Sequence, residues 1–124
     1  MKIYRFVKET GKNITSYNSN FIMSRIIRIE KDASIGCMYL EENGVIGYHQ
    51  AVVPQLLLLM SGEGLVRGGN TNFIKVQAGD AVFWEGGEWH ETRSGTGLTA
   101  IVIESPELNP AAYMSSKEQI HPGG

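Results

Sequence analysis

Cysteine is almost missing from this chain. Cys37 stands alone, so no internal disulfide can staple the fold, and the 124 residues must be held by an ordinary apolar core. That length suits one domain spanning 1–124, burying roughly two-thirds of the surface its unfolded form would expose. Aspartate is scarce too: Asp32 and Asp80 both sit in turn-like surroundings, and no nucleophile elbow accompanies them, which removes support for a Ser-His-Asp mechanism. No apolar run approaches the ~20 residues needed to span a bilayer, the longest being Leu56 to Met60, so no membrane partner is expected. Charge of one sign is also lacking. Eleven basic residues against 13 acidic leave −2, with Lys and Arg scattered, so no nucleic-acid partner is expected. The first dozen residues are charged and broken by Gly11, unlike a targeting segment, and the expected setting is the reducing cytoplasm.

Glycine is plentiful: 15 residues without a repeat period suit many tight turns between short strands. Helical periodicity is absent over any long segment, whereas short β-branched and apolar runs recur at intervals of roughly 8–12 residues, which indicates an all-β sandwich or barrel. Strands are expected at Ile3–Val7, Phe21–Glu30, Gly36–Glu41, Tyr48–Val53, Leu56–Ser61, Gly64–Arg67, Asn72–Val76, Ala81–Trp84, His90–Ser94 and Leu98–Ser105. Gly62-Glu63-Gly64 and the other glycine-rich joints then become hairpin turns. They join strand to strand, so none makes a phosphate cradle, which needs a glycine loop opening a helix. The tail from Pro106 contains Pro110-Ala111-Ala112-Tyr113-Met114, which suits a short helix, and His121 beyond it is expected at the surface. Leu56–Met60 and Leu98–Ile103 are apolar on both faces, so something must cover the outer face of the barrel. A second subunit or the chain's own tail would serve, and a homodimer is expected.

Two glycine-punctuated segments each carry one histidine. The first runs Gly47-Tyr48-His49-Gln50-Ala51, then three residues, Gln55, six residues and Gly62. The second runs Gly79, five residues, Glu85-Gly86-Gly87, two residues, His90, three residues and Ser94. These spacings resemble the two motifs of the cupin superfamily: Gly, a gap, His-x-His, three or four residues, Glu, six residues, Gly; and Gly, five residues, Pro-x-Gly, two residues, His, three residues, Asn. The resemblance covers about Gly36 to Ser105. It implies a jelly-roll (double-stranded β-helix) barrel over 36–105, preceded by N-terminal strands in 1–35 and followed by a short helical or irregular tail over 106–124.

The departures fall on the ligand positions. Ala51 stands where the family has its second histidine, Gln55 where it has glutamate, Glu85 where it has proline and Ser94 where it has asparagine. Three imidazoles and a carboxylate would hold a divalent transition metal; His49, His90 and the Gln55 carboxamide form a weaker set that leaves the ion's charge uncompensated. The resemblance therefore implies a small-molecule-binding barrel with a degenerate metal site, its pocket lined by His49, Gln55, Trp84, Trp89 and His90. The alternatives are a metal-dependent enzyme of dioxygenase, isomerase or lyase type, with iron, manganese, nickel or zinc weakly held at His49, Gln55 and His90, and metal-free acid–base catalysis by His90 with Glu88. Glu85, Glu88 and Glu91 surround His90 in sequence; they make either a solvated turn or a cluster that raises the imidazole pKa. Cys37 is expected to be a small core residue.

Overall fold

The computed structural model describes residues 1–120, and strands dominate it. These are Lys2–Arg5 (β1), Lys12–Ile14 (β2), Phe21–Met23 (β3), Ser34–Leu40 (β4), Gly44–Gln50 (β5), Gln55–Gly68 (β6), Ile74–Gln77 (β7), Asp80–Trp84 (β8), Trp89–Ser94 (β9), Leu98–Glu104 (β10) and Ser115–Ser116 (β11), before a short helix, Lys117–Ile120 (α1). All the pairings are antiparallel. One sheet has the order β11-β1-β8-β6-β10-β4; a second, β5-β9-β6-β7, shares β6 with it. β2 and β3 form a separate two-stranded sheet. His121 lies outside the described residues.

β6 corrects the expectation of two strands joined by a hairpin at Gly62-Glu63-Gly64. It is one 14-residue strand that leaves the first sheet and enters the second. The change of sheet coincides with a register shift: Ser61 faces Thr99 while Leu59 faces Ala100, so Met60 is the extra residue of a bulge. Gly62 follows at φ +83°, and a Cβ there would lie 2.8 Å from the Leu98 Cα, so both conformation and space demand glycine. Locally the glycines read as a reversal. The partners that keep β6 extended, β9 and β10, arrive from far along the chain.

Facing sides of the two sheets bury Leu57, Leu59, Val66, Val76, Val82, Trp84, Leu98, Ala100 and Val102 in one cluster. Because alternate residues share a face, Gln55 stands on this inward side with Leu57 and Leu59, and Glu104 with Val102 and Ala100. The outward side of β6, β8 and β10 carries a second cluster with Leu56, Leu58, Ala81, Phe83 and Ile103. Its cover is the chain itself: Ile26, Ile27 and Ile29 from the N-terminal segment, and Leu108 and Met114 from the tail. The expected strand Phe21–Glu30 consequently shrinks to Phe21–Met23, since its isoleucines serve as a lid instead of joining a ladder. Pro110–Ala112 forms the expected helical turn, of 3-10 type.

Two further expectations are corrected by packing. Asp80, read as a turn residue, is fully buried; its carboxylate meets Arg5 Nε at 3.1 Å and Lys117 Nζ at 2.8 Å, and accepts the Gln77 N–H at 2.9 Å. It ties β1 and the tail to the β7–β8 turn. Cys37, read as a core residue, is exposed because β4 is an edge strand on which the odd-numbered residues face outward.

Candidate functional site at the barrel mouth

β5 ends at Gln50, not at Val53 as the alternation suggested. Beyond it the Ala51 N–H donates to the Glu88 carbonyl at 2.9 Å and the Gly87 N–H donates to the Ala51 carbonyl at 2.8 Å. These two bonds clamp the halves of the motif together. They place His49 directly opposite His90 across the β5–β9 ladder, just after a register irregularity between Ile46 and His49. The rings lie 4.2 Å apart between centroids and are tilted by 56°.

Their surroundings differ. His49 is exposed, and its Nδ1–H donates to the Gly47 carbonyl at 2.6 Å. A carbonyl can only accept, so Nδ1 carries a proton. His90 is only 2% exposed and stacks on Trp84 at 4.8 Å. Its Nδ1 reaches the Glu88 carbonyl at 3.5 Å, whereas its buried Nε2 has no partner. Burial pushes the His90 pKa below the ordinary histidine value, and His49 pushes it further down; the Glu88 carbonyl and the charges of Glu88 and Glu104 act against this. The neutral form results, so the reading in which neighbouring acids raise this pKa is overturned.

Trp84 is held by its own bond, Nε1–H to the Arg67 carbonyl at 3.2 Å, and shares the inward face with His90. Gln55 is paired in register with Trp84 on one side and Glu104 on the other. Trp89 does not join them. As the neighbour of His90 on β9 it points to the opposite face, where it stacks on Tyr48 at 5.2 Å and is 44% exposed. Glu88 also turns aside: its carboxylate engages the Met1 amino group and accepts the Glu85 N–H at 3.1 Å, so only its backbone carbonyl meets His90. Glu91 lies on the outer face between Arg67 and Arg93, its oxygens 2.6 and 2.8 Å from them. The acidic run is thereby divided: Glu85 stays exposed at the turn, while Glu88 and Glu91 are drawn into ion pairs of their own.

Glu104 is the residue that sequence reading passed over. The signal was there in the alternation Leu98, Ala100, Val102, Glu104, but the run looked apolar on both faces and its last member was not assigned a side. Two clefts lie elsewhere: one of about 810 Å³ is bordered by Ile3, Tyr4, Met114 and Lys117, another of about 550 Å³ by Phe6, Asn13 and Phe21. Among the described residues no three His, Cys, Asp or Glu side chains converge as a metal-holding group. Two imidazoles and an amide, with Ala51 contributing only backbone, do not fit a tightly held catalytic ion.

No protein-family model matches the chain, and no curated protein matches it in sequence. Solved structures do. An RmlC-like cupin from Shewanella frigidimarina matches with a TM-score of 0.57 at 19% identity, covering 64% of this chain and 70% of that one. A Klebsiella pneumoniae protein described as having a double-stranded β-helix domain matches with a TM-score of 0.56 at 16% identity, covering 76% of this chain and 82% of that one. A Thermotoga maritima protein described as a predicted oxalate decarboxylase matches with a TM-score of 0.53 at 23% identity, over 57% of this chain and 64% of that one, less than two-thirds of its length. The chain has the cupin fold, an all-β double-stranded β-helix.

Proposed function

We propose that this is a small-molecule-binding cupin whose ligand sits at the barrel mouth against His49, His90 and Gln55. The observation that carries this reading is the buried, unpartnered Nε2 of His90 on the inward face. An orphaned polar atom costs about 1–3 kcal/mol, a cost that a bound hydrogen-bonding partner removes. In an NMR screen of small polar metabolites, ligands should shift the His49 and His90 ring signals and lose affinity in His90→Ala. A screen in which every binder leaves both rings unmoved would overturn the proposal.

A weakly held iron, manganese, nickel or zinc ion is the second reading, favoured by the placement of His49 opposite His90 across the ladder with ring centroids 4.2 Å apart. Elemental analysis after tag-free purification separates the two. Less than one equivalent of metal is expected; a full equivalent lost in a His49→Ala/His90→Ala double variant would establish the metal enzyme. Acid–base catalysis by His90 with Glu88 has less support, because the Glu88 carboxylate is already engaged. Oxalate chemistry is not carried over from the Thermotoga neighbour, since nothing in the donor set compensates a dianion.

The proposal includes a homodimer in the cytoplasm. With the outer cluster covered by the chain's own segments, one apolar surface open to a second copy is the outward face of edge strand β4, where Ile35 is 64% and Tyr39 71% exposed. Sedimentation equilibrium showing only monomer at micromolar concentration would remove this part.

A further inference from the structure

We propose that two copies of this chain join by antiparallel pairing of β4 with β4, centred on Cys37, so that the first sheets of two barrels meet edge to edge. This inference rests on the homodimer reading above and names its surface and register.

A free sheet edge presents unpaired N–H and C=O groups, and proteins guard such edges with short strands, charges or bulges. Of the four edges of the two barrel sheets, three are guarded. β11 has two residues, β7 has four and carries Lys75, and β5 is interrupted by the register irregularity between Ile46 and His49. β4 has none of these guards. Its seven residues, Ser34-Ile35-Gly36-Cys37-Met38-Tyr39-Leu40, hold no charge and no proline, and they pair with β10 in an unbroken register. Among the described residues, no main-chain hydrogen bond from a turn or loop reaches 34–40. The edge is open along its whole length, and Ile35, Cys37 and Tyr39 stand exposed on its outward face.

The strand's own sequence selects the occupant. Two antiparallel copies of one strand are related by a two-fold axis perpendicular to the sheet, which sets one residue opposite its own copy. Only Cys37, the midpoint of 34–40, lets all seven residues pair. Ile35 then faces the partner's Tyr39 on either side of the axis, a β-branched residue against an aromatic one, which is a favourable cross-strand pair. On the inward side the half-buried Met38 faces the partner's Gly36, which has no side chain to obstruct it. Like charges meet nowhere along this ladder. The symmetry also closes the contact, because each copy uses its one unguarded edge and leaves none for further growth.

The test is sedimentation equilibrium of the full chain and of two double variants, substituted at exposed positions so that the barrel should be kept, as matching circular dichroism verifies. In Ile35→Lys/Tyr39→Lys, like charges face one another at both 35–39 pairs, and dimer affinity should fall about tenfold. In Ile35→Lys/Tyr39→Glu the same pairs become opposite charges, and affinity should stay within about threefold of the wild type. Diamide, which takes up the two protons and two electrons released when two thiols become a disulfide, should link Cys37 to the partner's Cys37 in the wild type. Linkage should fall in the double-lysine variant. Equal dimer affinity in the two variants, or a wild-type dimer that diamide leaves unlinked, would overturn the β4 pairing while the homodimer reading stands. Wild-type protein that sediments only as monomer would remove both.

Discussion

Two side chains have folded-state pKa values held down so that stability falls in acid. His90 is buried with its pKa held below 6.5, chiefly by desolvation. Below that value the unfolded chain binds a proton that the folded chain refuses, so His90 stabilises the fold above pH 6.5 and the contribution is lost as pH falls towards its folded pKa. Glu91 is held below its ordinary 4.5 by hydrogen bonds from Arg93 and Arg67. Its contribution is complete above pH 4.5 and disappears beneath that. Urea unfolding at pH 7.5, 5.5 and 3.5 should therefore show stability falling in two stages. His90→Gln should flatten the first and Glu91→Gln the second; parallel losses in all three proteins would contradict the assignment.

Asp80 makes a different residue-scale prediction. It is fully buried beneath Arg5 and Lys117, so Asp80→Ala removes the buried carboxylate that both cations share and should cost about 3–5 kcal/mol of unfolding free energy. Val52→Ser, at a side chain that is 90% exposed, should change stability by no more than ~0.5 kcal/mol.

At the scale of elements, the bend in β6 decides whether one strand can serve two sheets. Gly62→Ala puts a Cβ against the Leu98 backbone at a positive φ and should destabilise by roughly 1–3 kcal/mol. The disturbance should be sharpest in amide exchange of β6 and β10, which meet at the bulge. If Gly62→Ala matched the wild type in both measurements, the bend would not depend on the glycine. The β5 strand shows the same dependence on distant partners. His49 and His90 come opposite each other only because β9 pairs with β5 and the Ala51 backbone clamps the turn at Gly87 and Glu88.

For the whole molecule, the two-sided apolar strands are explained by a lid made of the chain's own ends. Met114 is buried against the outer faces of β6, β8 and β10, although it lies in a tail that local pattern marks as peripheral. Met114→Ala should cost about 2–5 kcal/mol by emptying part of that cluster. A thermal midpoint indistinguishable from the wild type would show that the lid is dispensable.

Strand character, the inward and outward alternation, and the motif spacing from His49 to Gly62 and from Gly79 to His90 depend on near neighbours, so sequence by itself determined the barrel and the two imidazoles. It also established that Ala51 and Gln55 depart from the metal pattern. What it could not supply were the relations that depend on segments distant along the chain. The side taken by Trp89, the engagement of Glu88, the burial of Asp80, the lid of Ile26, Ile27, Ile29 and Met114, and the place of Glu104 beside Gln55 were decided only in three dimensions. The physical reason is common to all five. Alternation tells which residues share a face within one strand, but which face is inside, and what lies across from it, is set by pairing between strands that approach from opposite ends of the chain.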